Sequence, residues 1–223
     1  MEEWESIQAL NSIWVSSGDL IQIRRGGSHL SNGSIGYSAS LGSLRGFITT
    51  AHFAGGLRVG DTVHNASGQL IGRVSNGSHV RLTTIDAAFI TLQPNVIMVS
   101  QSGGIGGSIM PGNQTTVRLG MPVASWGASS GHRFGEVTRP VTSTTLPTAG
   151  FLPNVVEASY RRQGGDSGGI VYTWTQDTFI AISLGHHVGG VSSGGSNFGH
   201  IAWFVRIDET NRHLGTWATW PDV

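Results

Sequence analysis

Short stretches in which apolar residues alternate with polar ones, or run together for a few positions, recur along the whole chain: 20–23, 35–39, 46–50, 70–74, 87–92, 117–119, 136–138, 155–159, 169–172, 179–184 and 201–207. None has the length of an ordinary helix, and alternation with period two is the mark of a half-buried strand. Clusters of Gly, Asn, Ser and Pro separate them, among them Ser31-Asn32-Gly33, Asn76-Gly77 and Pro111-Gly112-Asn113. Many short strands at this spacing predict an all-β protein, a sandwich or a pair of barrels. Only 205–214, where Val205, Ile207 and Leu214 stand among charged residues, predicts a helix, a single one near the C-terminus. The glycine-rich run 102–107, followed by Pro111-Gly112-Asn113, reads as a connector. It divides the chain into 1–110 and 111–223.

Composition narrows this picture. The 223 residues include 34 glycines and only 12% charged side chains, which suits tight turns and short strands. Thirteen basic residues balance thirteen acidic ones, so no net attraction draws the chain to nucleic acid or to an anionic membrane. No apolar run approaches the roughly 20 residues that cross a bilayer. The start, Met1-Glu2-Glu3-Trp4-Glu5, lacks the basic and apolar regions of a secretory signal. With zero cysteines, disulfides, thiolate catalysis and cysteine-bound zinc are excluded together.

Three segments carry chemistry. In Gly164-Gly165-Asp166-Ser167-Gly168-Gly169 the glycines let the backbone turn sharply, so that the amides of Gly165 and Ser167 can point together at a developing oxyanion. Gly46-Phe47-Ile48-Thr49-Thr50-Ala51-His52 is a buried-type strand that runs into a histidine, a side chain able to take a proton from a serine hydroxyl near neutral pH. Ile85-Asp86-Ala87-Ala88-Phe89-Ile90 sets one carboxylate at the entrance of an apolar strand. There Asp86 can orient an imidazole, or simply cap a turn.

The order His52, Asp86, Ser167 and the Gly-Asp-Ser-Gly-Gly string resemble the chymotrypsin superfamily of serine proteases. The segment Trp126-Gly127-Ala128-Ser129-Ser130-Gly131-His132-Arg133-Phe134-Gly135-Glu136-Val137-Thr138 resembles a hairpin of the bacterial α-lytic and streptogrisin branch, and residues 36–52 resemble its histidine region. The resemblance implies two six-stranded antiparallel Greek-key barrels with the active site between them, and a short C-terminal helix. It implies an endopeptidase that works through an acyl-enzyme, with Ser167 as nucleophile, His52 as base, Asp86 orienting, and Gly165 and Ser167 as the oxyanion hole. No metal or organic cofactor is implied. Polypeptide substrates, a monomeric state and secretion behind an upstream segment follow from the same likeness, with a cytoplasmic location left open. Two alternatives stay open beside it: a protease fold used only for binding, and a protease that processes mainly its own precursor.

The likeness also implies a substrate site. Arg161, Arg162, Gln163 and Gly164 would wall the primary pocket; Ser183, Leu184 and Gly185 would form the strand that pairs with an extended peptide; Gly199, His200 and Ile201 would close the pocket. Arg161 or Arg162, helped by His186, His187 and His200, could select an acidic side chain, whereas Leu184, Phe198 and Ile201 would favour an uncharged one. No acid other than Asp166 lies in these segments, which disfavours cleavage after Lys or Arg. In two places the chain departs from the family. Phe53 stands where a cysteine usually follows the histidine, its usual partner position falls near Gly33, and a packed aromatic is the expected substitute. Ala128 replaces the arginine that pairs with the Asp166 position, leaving Arg133, Arg139 or a set of hydrogen bonds to neutralise it.

Overall fold

The computed structural model describes residues 12–76, 80–81, 84–99, 109–113, 115–174, 180–191 and 201–222. In the first half the strands are β1 (Ile13–Ser16), β2 (Leu20–Arg25), β3 (Ser28–Ser34), β4 (Ser38–Leu41), β5 (Leu44–Thr49), β6 (Thr62–Asn65), β7 (Leu70–Arg73), β8 (Val80–Arg81), β9 (Ala87–Leu92) and β10 (Val96–Val99). The second half holds β11 (Ile109–Pro111), β12 (Pro122–Gly127), β13 (Gly131–Leu146), β14 (Gly150–Ala158), β15 (Ile170–Trp174), β16 (Ala181–Val191), β17 (Ile201–Arg206), helix α1 (Ile207–Leu214) and β18 (Trp217–Ala218).

These strands form two barrels. In the first, the pairing order runs β4-β5-β9-β7-β6-β2-β3, and β3 and β4 are the two arms of one stretch bent at Ile35-Gly36-Tyr37. The bend stays bonded to β5: the Gly36 amide donates to Ile48 O and the Ile48 amide to Tyr37 O, both at 2.9 Å. A Cβ at Gly36 would lie 2.4 Å from Ile48 O, so only glycine fits there. In the second barrel β16, β15, β12, β13, β14 and β17 follow in order, and β17 pairs back to β16 to close the ring. Closure leaves no long free edge.

Three apolar clusters fill this frame. Ile21, Ile23, Phe47, Val63, Ile71 and Ile90 belong to the core of the first barrel. Val123, Val137, Val156, Val171 and Phe204 belong to that of the second. A third cluster, with Tyr37, Ile48 and Phe89 on one side and Ile170, Tyr172 and Val205 on the other, glues the barrels together. Strand β5 contributes to two of these clusters, which explains why Gly46–Thr49 is buried at every position instead of every second one.

Helix α1 has Asp208 and Glu209 in its first turn, Arg212 and His213 in its last, and Gly215 as a left-handed C-cap at φ 71°, so its charges oppose the helix dipole at both ends. β18 then returns to the first barrel and pairs with β4. The expected strand at 117–119 is absent: Met121 N–H donates to Arg118 O across a turn at Gly120, and Val117 instead plugs the second core. The hairpin β13–β14 is far longer than the alternation at 136–138 and 155–159 predicts, because its outer half is mostly Thr, Ser and Pro and buries only the tip residues Leu146, Ala149 and Leu152.

Candidate active site

β5 ends at Thr49 and delivers His52 as the residue that caps a 3-10 turn, Phe53–Gly55. Asp86 precedes β9, the strand paired with β5, so sheet register alone brings the two together. Asp86 Oδ2 accepts from His52 Nδ1 at 2.6 Å, and Oδ1 accepts from the Ala51 amide at 3.0 Å. The carboxylate is fully buried, while the His52 side chain keeps 11% of its surface. With the Nδ1 proton held by the carboxylate, Nε2 carries the free lone pair. Asp86 has φ 46°, a left-handed conformation that aspartate tolerates at a cost of order 1 kcal/mol. A second histidine holds this bend from behind: His186 Nε2 donates to Asp86 O at 3.1 Å.

The Ser167 loop belongs to the second barrel and is clamped onto the first. Ser34, at the end of β3, donates its amide to Ser167 O (2.8 Å) and its hydroxyl to Gly165 O (2.8 Å), and its Oγ accepts from the Ala128 amide (2.9 Å). Thr49 Oγ1 donates in turn to Ser34 O at 2.9 Å, which ties the clamp to β5, the strand that ends at His52. Gly168 is packed so tightly beneath that a Cβ would lie 2.0 Å from Thr49 Oγ1. Ser167 Oγ is partly exposed and makes no hydrogen bond to a described residue, His52 included. In unliganded sites such bonds often form only with substrate.

The amides of the loop divide into two sets. Those of Gln163, Asp166, Gly168 and Gly169 are spent on Asp166 Oδ2 (2.6 Å), Gln163 O (3.1 Å), His187 O (2.8 Å) and Asp166 O (2.9 Å). Those of Gly164, Gly165 and Ser167 have no acceptor among the described residues, and Gly164 is exposed. Gly165 reaches this arrangement at φ 100°, open only to glycine. Asp166, 5% exposed, accepts from the Ser129 amide (3.1 Å), the Ser130 amide (2.8 Å) and the Gln163 amide. Three backbone donors therefore take the place of an arginine. Arg133 is turned to His132 O and Arg139 to Glu157.

The substrate segments lie differently from their expected places. His187, not Ser183, is the β16 residue beside the nucleophile loop: its O accepts from Gly168 and its amide donates to Gly169 O, each at 2.8 Å. Ser183 and Leu184 are 2% exposed. Ser183 Oγ bonds Met110 O and the Gly112 amide, Leu184 sits in the second core, and Gly185 lies against Val205 O. Ser183, Leu184 and Gly185, expected to pair with substrate, are instead buried away from the Ser167 loop, which bonds β16 at His187. His186 and His187 supply no positive charge, since burial pushes their pKa values down to about 4 and about 3. Arg161 and Gly164 are exposed, Arg162 and Gln163 half-buried, and Ile201 pairs with Val191 at the far end of β16. Phe198, Gly199 and His200 lie outside the described residues. Ser34 carries no sequence signal as a site residue, and His186 only one as a charge near the pocket: each holds main-chain atoms of its partner, which no motif records.

Phe53 is 2% exposed and its ring lies directly over Gly33, where a Cβ would come within 2.2 Å of Cζ. The aromatic thus braces the histidine turn against β3 at the two positions where a disulfide was expected to be missing.

This arrangement, two closed barrels with a histidine–aspartate pair on one and a clamped Gly-Asp-Ser-Gly-Gly loop on the other, is the fold of the bacterial chymotrypsin-like serine proteases. Protease A of Thermobifida fusca superposes with a TM-score of 0.72 at 20% identity, over 93% of this chain and all of the other. The chymotrypsin of Cellulomonas bogoriensis gives 0.71 at 23% identity, with 93% and 100% coverage. A serine protease described as glutamic acid specific, with a histidine triad in substrate binding, gives 0.70 at 19% identity, over 92% of this chain and all of the other. No family model matches the sequence, and no curated protein is similar to it.

Proposed function

We propose that the chain is a serine endopeptidase that cleaves peptide bonds through an acyl-enzyme on Ser167. The observation that carries this reading is the His52–Asp86 pair, a histidine oriented by a buried carboxylate, together with a Ser167 loop whose Gly165 and Ser167 amides are not spent on internal acceptors. In the reaction Ser167 Oγ attacks the scissile carbonyl and passes its proton to His52 Nε2. The carbonyl oxygen becomes an oxyanion and accepts from the Gly165 and Ser167 amides. His52 then protonates the departing amine, and a water repeats the sequence to release the acid. Asp86 keeps its hydrogen bond from Nδ1–H and stabilises the imidazolium.

β15 pairs with β16 only as far as Ile170 opposite His186. Beyond it an extended peptide would add itself along β16 from Val188 onward, placing its scissile bond at Ser167. A sulfonyl fluoride tests the reading, because only a serine activated by a base reacts quickly. Stoichiometric labelling of Ser167 in the folded protein, absent in His52→Ala, is expected. Labelling that is spread over other serines, or that survives His52→Ala, rules the mechanism out.

A further inference from the structure

Arg162 stands five positions before Ser167 and is half-buried. Its stem lies across Gly190: a Cβ there would be 2.5 Å from Arg162 Nε and 3.1 Å from Cδ. Its Nη2 donates to Gly190 O. Gly190 follows His187 by three residues on the strand whose backbone grips Gly168 and Gly169, so the guanidinium is held between the nucleophile loop and the proposed path of the peptide.

This cation is incompletely satisfied. Nε is buried and has no hydrogen-bond partner. The nearby carboxylate, Asp166, is occupied by three backbone amides, and no described carboxylate forms an ion pair with Arg162. Burial lowers its pKa, a sign that the charge is paying for desolvation without full compensation. The guanidinium nevertheless remains charged at any ordinary pH. His187 shares no part of this charge: its ring is buried, bonded through Nδ1 to Tyr160 Oη at 3.0 Å, and neutral. Arg161, its neighbour in sequence, is exposed.

We infer that Arg162 determines the specificity of this site, and that the substrates it selects carry a carboxylate side chain on the residue preceding the bond attacked by Ser167. Nε is packed against Gly190, but a glutamate or aspartate there would accept from the outer N–H groups of the guanidinium, in the charge-assisted geometry that this planar cation offers. Arginine that merely anchored the loop to Gly190 would need no substrate charge. The inference rests on the endopeptidase reading for the place of the substrate, and the two can be tested apart.

The binding arm uses Ser167→Ala protein, which cannot turn over, and two N-acetylated tetrapeptides, Ala-Ala-Pro-Glu and Ala-Ala-Pro-Gln, titrated by calorimetry. Tighter binding of the Glu peptide by about 30-fold is expected, the worth of one charged hydrogen-bond pair. Adding Arg162→Gln should bring the ratio of the two affinities close to one, Arg162→Lys should leave part of it, and Arg161→Gln should preserve it. Equal binding of the two peptides, no binding of the Glu peptide, or a ratio that persists in Arg162→Gln overturns the inference. The turnover arm follows cleavage of a random peptide library by the unsubstituted protein. Failure to cleave any peptide sinks the endopeptidase reading, while the affinity ratio still decides the role of Arg162.

Discussion

At the scale of single residues, the local motifs around His52 and Asp86 were readable because each is a contiguous string. The pairing of their strands, β5 with β9, then places the two side chains 2.6 Å apart. What the string could not convey is how a side chain is held from outside its own segment. Asp86 is fixed by the Ala51 amide and by His186 pressing on its carbonyl, one contact from the preceding strand and one from the other barrel. Replacing Asp86 with Asn keeps the shape but offers an amide where Nδ1–H needs an acceptor, so the imidazole is held in the wrong tautomer. Turnover should fall by about four orders of magnitude with little change in melting temperature, as in the general triad template. A near-normal kcat in steady-state assays would show that another group orients His52.

Among the elements, strand existence was far more legible than strand length or register. Ala87–Leu92 has the bounds that its apolar run predicts, because Ala88 and Ile90 meet the first core and Ala87 and Phe89 the cluster between the barrels. The long β13 was foreshortened in the sequence, since Thr, Ser and Pro fill its outer half and only the last residue, Leu146, is buried. The error at Ser183–Gly185 is instructive. Ser-Leu-Gly looks like a substrate strand, yet register is fixed by which backbone atoms the Ser167 loop grips, and it grips His187. The brace at Phe53 was visible only as an absence of cysteine. Its worth is testable: Phe53→Ala empties the space over Gly33 and should cost about 3–5 kcal/mol, read as a lower urea midpoint together with loss of activity. A loss below about 1 kcal/mol would mean that the turn is held by its other contacts.

For the whole molecule, two neutral histidines buried beside the barrel junction couple folding to pH. Both have folded pKa values, about 4 and about 3, below the roughly 6.5 of an unfolded histidine. As pH falls below 6.5 the unfolded chain takes up protons that the folded chain refuses. Stability is therefore complete above pH 6.5 and is lost on acidification toward pH 4, by about 1.4 kcal/mol per pH unit for each histidine. Urea titrations at pH 7 and pH 5 should show a clear drop in midpoint; equal midpoints would mean that the two rings are solvated.

The support beneath Asp166 has a consequence for how the loop responds to salt. Its three donors, Ser129, Ser130 and Gln163, are main-chain groups, available as soon as the barrel closes. Hydrogen bonds buried together with their acceptor are screened little by dissolved ions, so the Ser167 loop should keep its shape at ionic strengths that loosen a surface ion pair such as Arg45–Asp222.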